Sequence, residues 1–238
     1  LTILNEQYGL VTGDGIRRID LKSLNNVRIK NERLLCFYNS IIYNGKVLSN
    51  DTYKDESKVK YYDVNELIAA KEGEAPAVTE LDIIQKQKIN FVLAKDGNVY
   101  TLESADNGCN IVKIKNDFTL EKVFANFQPA KGPYHSSPTI GMVASETENI
   151  IYLVSTDGAI YKYILGDSDS LKAPFIAAES GVSITAPLQL NQQSGELYVT
   201  YTEERKDESK IVVYSKDGKV LHTVDCGESV PSQILFNN

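Results

Sequence analysis

The chain has 238 residues, 42% hydrophobic and 24% charged, and a chain of that length buries roughly 70% or more of its unfolded surface, enough for one core. Lys and Arg number 25 against 32 Asp and Glu, a net charge of −7, so a nucleic-acid backbone would meet repulsion rather than a basic stripe. The apolar runs are short and interrupted, far below the roughly 18 residues of a membrane-spanning helix, and no transmembrane segment is expected.

In chain order, LTILNEQY, GIRRIDL and NVRIK read as three strands. ERLLCFYN, IIYNGKVL (41–48), KVKYYDVNEL (from Lys58) and PAVTELD come after them, with VNELIAAKEGE (64–74) as a short helical excursion between outer strands. KINFVLAK, NVYTLES (98–104), NIVKIKNDFTL (from Asn110) and EKVFANF come next. PTIGMVAS, NIIYLVS (149–155), AIYKYILGDS (from Ala159) and KAPFIAA form a further group, with Asp157-Gly158 as a two-residue hairpin signal. ITAPLQLN, ELYVTYT (196–202), KIVVYSKDGKV (from Lys210) and KVLHTVD complete the series, and SQILFN (232–237) is left over. The runs alternate apolar and polar side chains and are rich in Ile, Val and Tyr, as half-buried strands are.

The third strands start at Gly15, Lys58, Asn110, Ala159 and Lys210, 43 to 52 residues apart. Four strands per repeat of about 50 residues is the signature of a β-propeller blade. The expectation is an all-β, single-domain propeller over residues 1–238, with blades at 1–31 plus 232–238, 32–83, 84–128, 129–178 and 179–231. The carboxyl-terminal strand would join the three amino-terminal ones and close the ring without an open sheet edge. YKDESKV (53–59) and RKDESKI (205–211) lie 152 residues apart, three repeat spacings. They are read as equivalent solvated turns rather than as a paired binding site.

The run SGELYVTYTEERKDESKIVVYSKDGKVLHTVDCGESVPSQILF resembles the YVTN-type bacterial propeller repeat, on Gly195, Tyr198, Val199, Thr200, Asp217, Gly218, Gly227 and Pro231. ILNEQYGL…GIRRIDL is similar to the opening of secreted propeller lipoproteins of Bacteroidetes-type bacteria, with Glu6-Gln7 where that motif has Glu-Gly. Those relatives usually have seven blades, and they include surface proteins that capture cobalamin for an outer-membrane transporter. The resemblance implies an exported chain, a periplasmic or cell-surface lipoprotein, and it carries over no ligand residues. The start at Leu1, without Met or a basic-then-apolar leader, fits a mature chain whose targeting segment has been removed.

Function on a propeller resides in loops at one end of the sheets. The most ligand-like segment is QPAKGPYHSSP (128–138), where Lys131, Tyr134, His135 and Ser136 combine a cation, an aromatic platform, an imidazole and a hydroxyl in a Pro-stiffened loop. Tyr53 and Asp14, in loops expected on the same face, complete the candidate ligand set. Asp51, Asp106, Asp157 and Glu179 also fall there, and two facing carboxylates are what a glycoside hydrolase needs. Asp in a hairpin turn also caps its own backbone, and that is the favoured reading. GDSDS (166–170) is read as a polar turn rather than a calcium loop, and His222 as an outward-facing strand residue. Cys36, Cys109 and Cys226 have neither metal-ligand nor disulfide-framework spacing. No metal, cofactor or catalytic residue is assigned. The function expected is a noncatalytic binding propeller that is monomeric and presents a small molecule or glycan to a surface uptake system. The alternatives are a scaffold within a surface protein complex and, less favoured, a five-bladed carbohydrate-active hydrolase.

Overall fold

The computed structural model describes residues 1–13, 15–30, 40–50, 57–74, 76–85, 91–130, 141–203, 208–231, 234 and 236. Their regular structure is almost wholly antiparallel strand, in two compact units, Leu1–Phe91 and Val92–Asn238.

The first unit holds two four-stranded sheets. One runs in the order β1 (Thr2–Ile3), β2 (Tyr8–Gly13), β3 (Gly15–Asp20), β4 (Asn26–Lys30), and the other β5 (Ile41–Tyr43), β6 (Lys46–Asn50), β7 (Ser57–Asp63), β8 (Val78–Gln85). Between β7 and β8 lies α1 (Val64–Ala69), where the sequence places its helical excursion. Asp63 starts it as an N-cap, its carboxylate accepting from the backbone N–H of Asn65 (2.8 Å) and Glu66 (3.2 Å). The far end is held by Arg18 of β3, whose guanidinium donates to the carbonyls of Leu67 (3.4 Å), Ile68 and Ala70 (3.1 Å). A helix end leaves such carbonyls without partners, and here a neighbouring sheet supplies them. Leu10, Ile16, Ile29, Val47, Tyr62 and Leu67, each no more than 1% exposed, form the core beneath.

Two sequence readings are corrected in this unit. LTILNEQY is a hairpin rather than one strand, because Asn5 Oδ1 accepts from the N–H groups of Gln7 (2.9 Å) and Tyr8 (2.8 Å) and turns the chain back. Thr2 then pairs with Leu10, so the first sheet takes its fourth strand from Thr2–Ile3, where the sequence reading took it from 232–237. IIYNGKVL also splits, at Asn44 and Gly45, whose φ values of 47° and 70° make a two-residue turn between β5 and β6. Positive φ at both central positions is what such a turn requires, and Asn-Gly is its usual pair. ERLLCFYN, expected as the strand before it, lies outside the described residues.

The second unit contains the sheet β9 (Val92–Leu93), β10 (Val99–Ala105), β11 (Gly108–Ile114), β12 (Leu120–Phe127) and the three-stranded sheet β13 (Met142–Ala144), β14 (Ile150–Val154), β15 (Ile160–Ile164). KAPFIAA, expected as the next strand, contributes a single bridge, Ile176 to Ile160. The last sheet is β16 (Val182–Ile184) and β17 (Gln189–Leu190), both paired with β18 (Leu197–Glu203), then β19 (Ser209–Tyr214) and β20 (Val220–Gly227). Alternation assigns the two faces of β18. Leu197, Val199 and Tyr201 join Tyr152, Ile160 and Val212 in the core. On the other side Thr200 Oγ1 donates to Pro231 O (3.4 Å) and the Tyr198 ring meets Phe236 edge-on with centroids 5.0 Å apart.

Four hairpins in this unit share one construction. Ala94–Asn98, Lys115–Thr119, Ser155–Ala159 and Ser215–Lys219 are each closed by a backbone bond at 2.8–3.0 Å across three residues, with the fourth position in the left-handed region: Gly97 (φ 74°), Phe118 (64°), Gly158 (84°) and Gly218 (79°). The Asp157-Gly158 hairpin is therefore a three-residue loop, a type I turn ended by a left-handed residue, rather than the two-residue turn expected. Five antiparallel sheets of this up-and-down build among the described residues make the fold a β-propeller.

Candidate functional site

The turn joining β10 to β11 marks the candidate end of the second unit. Gly108 has φ 121°, and a Cβ there would collide with the Gln128 amide and Phe127 O, so only glycine lets residue 128 approach. Gln128 Nε2 donates to Asn107 O (2.6 Å), and Gln128 O accepts from Thr156 N (2.9 Å) at the end of β14. Ala130 N donates to Val154 O (2.8 Å), and Pro129 bridges to Ser155. Gln128-Pro129-Ala130, the first three residues of the ligand-like segment, is thus fastened between two sheets.

Polar side chains around this end are engaged with one another. Asp157 accepts from Ser155 Oγ and from Ala159 N (3.1 Å), and the Ser155 hydroxyl is the chief reason its carboxyl sits below the usual range. The acid is capping its own turn, as the sequence reading has it. Glu103 accepts from Asn110 Nδ2 (2.8 Å) and lies 3.6 Å from Lys122 Nζ. Beside it Cys109 is buried, and burial first, then the Glu103 charge, pushes its thiol up to about 11. Neither Glu103 nor Asn110 was singled out from sequence. Their signal is an acid and an amide placed opposite each other in adjacent strands.

Lys210 pairs with Glu179 at 3.1 Å and sits 6.0 Å from the centre of the Tyr201 ring. Tyr201 and Tyr214 share a buried hydroxyl contact of 3.0 Å, and burial, more than that contact, raises the Tyr201 phenol above its ordinary range. Lys58 of the first unit occupies the matching place, 3.6 Å from Asp82. Each lysine ends a KDESK copy and is the second residue of a third strand, and a β-bulge lies beside each, between Lys58 and Lys60 and between Ser209 and Lys210. The repeated letters thus mark equivalent register positions, as expected, with their lysines held by carboxylates of their own unit.

Asp14, Tyr53, Lys131, Tyr134, His135 and Ser136, the six sequence-predicted ligand residues, lie outside the described residues, as do Asp51 and Cys36. His222 is exposed on β20. Asp167 of GDSDS caps a 3₁₀ turn, accepting from Asp169 N at 3.0 Å. Among the described residues no group of three or more His, Cys, Asp or Glu side chains could hold a metal ion. None of their helices is long and apolar enough to cross a membrane.

Residues 1–237 match the model of a family described as "Domain of unknown function (DUF5074)". The chain belongs to that family. No curated protein matches it. Solved structures similar to it include TolB from Acinetobacter baumannii, at TM-score 0.55 and 10% identity over 95% of this chain and 54% of that one. The Cps50 (Swd1) β-propeller domain of Myceliophteria thermophila has TM-score 0.57 and 10% identity over 95% of this chain and 72% of that one. Prolyl oligopeptidase B from Galerina marginata has TM-score 0.55 and 11% identity over 91% and 32%. The DUF5074 chain thus spans about half of the TolB chain and a third of the peptidase. At such identities the likeness shows the β-propeller fold.

Proposed function

We propose that this DUF5074 chain is a noncatalytic binding propeller, exported and lipid-anchored, that presents a small molecule or glycan to a surface uptake system. It is read as a single propeller domain of five blades over residues 1–238, one for each of its five sheets. The observation that carries the binding reading is the fastening of Gln128-Pro129-Ala130 between the β10–β11 turn and the end of β14. A stem tied on both sides supplies the preformed scaffold a pocket needs, and Lys131, Tyr134, His135 and Ser136 come directly after it in the chain. Tyr53 and Asp14 complete the proposed ligand set. The resemblance of ILNEQYGL…GIRRIDL to the opening of secreted propeller lipoproteins supports the exported, surface-lipoprotein setting.

The turn-capping role of Asp157 and the Glu179–Lys210 pair favour binding over hydrolysis, because those carboxylates are already committed. The test is a thermal-shift screen of corrinoids and oligosaccharides, then calorimetric titration of each hit into the wild type and into Tyr134→Ala and His135→Ala. A stabilising ligand whose affinity falls about tenfold or more in either variant, as expected for loss of an anchoring contact, supports the site. A panel with no stabilising compound, or affinities untouched by both substitutions, removes this reading in favour of a protein scaffold. Release of reducing sugar from any oligosaccharide would instead select the hydrolase.

A further inference from the structure

Three outermost strands of the described sheets, β8, β12 and β20, have eight residues each. β8 and β12 carry Glu80 and Asp82, and Glu121 and Lys122, at exposed positions, and each ends in a buried residue. Charges of this kind blunt a sheet edge against pairing with another chain. β20 differs. Seven of its eight residues are exposed, and among them Val220 (59%), Leu221 (44%) and Val224 (52%) leave an apolar strip in water. Burying such a strip is favourable, and the unpaired side of an edge strand is itself a template for a further strand.

The register of β20 against β19 indicates what fits it. Bulges set Leu221 and Cys226 out of the ladder, leaving His222–Asp225 as the regular stretch between them. An antiparallel partner that matches this whole stretch is a second copy of the same strand, related by a two-fold axis between Thr223 and Val224. In that register Leu221 faces the other copy's Cys226, so the two irregular positions fall opposite each other. His222 faces Asp225, and Lys219 faces Glu228, each twice across the axis. Lys219 and Glu228 are exposed and opposite in charge. A closed two-fold interface needs this self-complementarity, in which each patch is its own partner, and cross-strand opposite charges stabilise it.

We propose that β20 is a homodimerisation edge, joining two copies of the chain through antiparallel β20–β20 pairing centred between Thr223 and Val224. The proposal does not depend on the binding reading. Sedimentation velocity on the full chain across a wide concentration range tests it, with circular dichroism confirming that each variant is folded. The wild type shows a concentration-dependent monomer–dimer equilibrium. Val224→Glu, which sets a charge beside the axis, leaves monomer. Lys219→Glu faces Glu228 with a like charge at two places and weakens the dimer by about tenfold or more, and adding Glu228→Lys restores it. A wild type that stays monomeric assigns the strip to some other partner and overturns the proposal. So does a dimer that survives Val224→Glu, or one that Lys219→Glu weakens without recovery in the double variant.

Discussion

At β3 and β7 of the first unit and at β11 and β19 of the second, the chain turns at the end of a third strand by different means. In the first, an aspartate ends the strand and caps the next turn or helix: Asp20 accepts from the N–H groups of Lys22 (3.0 Å) and Ser23 (2.8 Å), and Asp63 starts α1. In the second, the corresponding ends at Lys115 and Ser215 enter three-residue turns with a left-handed residue, Phe118 or Gly218. The short turn is complete within itself. The helix is not, because a six-residue helix in isolation is far below the length at which helices become stable, and it depends on Arg18 from another sheet and on Leu67 in the core. Equal sheet order therefore conceals unequal dependence on tertiary contacts, and substitutions should separate the two solutions.

The largest effect is expected at Arg18. Replacing it with Ala leaves the last α1 carbonyls without their charged donor and removes a guanidinium lying 5.0 Å from the Tyr8 ring centre. Hydrogen bonds from a charged group contribute about 2 kcal/mol in such settings, so urea denaturation should show a loss of about that size. Amide exchange should rise over residues 64–70 and stay unchanged over 115–119. Arg18→Lys should recover only part, since an ammonium cannot span several carbonyls as a planar fork does. Equal exchange at both connections in Arg18→Ala would mean that the helix does not lean on the neighbouring sheet.

Smaller effects of opposite sign are expected from the turns. Gly97 has φ 74° and open space around its Cβ position, so Gly97→Ala tests backbone conformation alone. Leu24, with φ 59° and 73% exposure, holds the same strained region without packing in return. A side chain in the left-handed region costs about 1 kcal/mol. Gly97→Ala should therefore destabilise by about that amount and Leu24→Gly should stabilise by a similar one, both read from denaturation midpoints. Two changes of the same sign would show that the backbone term does not control these turns.

Local chemistry and long-range placement are unequally readable in the sequence. Alternation and repeat spacing mark most strands, and the KDESK copies give the correct equivalence of Val59 with Ile211, because these signals depend on neighbouring residues. Asn44-Gly45 is equally local yet hidden inside an apolar run, although positive φ at both residues is the ordinary use of that pair. Arg18 on the helix end and Lys210 on Glu179 join residues 49 or more and 31 apart, and no spacing rule announces such partners. The candidate ligand loop is legible as a composition, and its described stem at Gln128–Ala130 shows how the start is held. The side chains that make it attractive fall outside the described residues.

The smallest effect belongs to Asp20, and its sign comes from its partners. The Ser23 N–H first, then the Gln7 amide, hold its carboxyl at about 2, below the ordinary value of 3.8. The folded state thus binds the Asp20 proton more weakly than the unfolded state, so the contribution is fully present above pH 4 and fades as pH falls from about 4 to about 2. Asp20→Asn keeps an acceptor for the turn and removes the titration. The gap in stability between wild type and variant should therefore be constant from pH 5 to 7 and narrow below 4. Asp63 adds a contrast within the same unit, since the Lys46 ammonium at 2.7 Å is the main cause of its lowered carboxyl. Salt should shrink the pH dependence removed by Asp63→Asn more than that removed by Asp20→Asn, because screening weakens exposed ion pairs more than short bonds to the backbone.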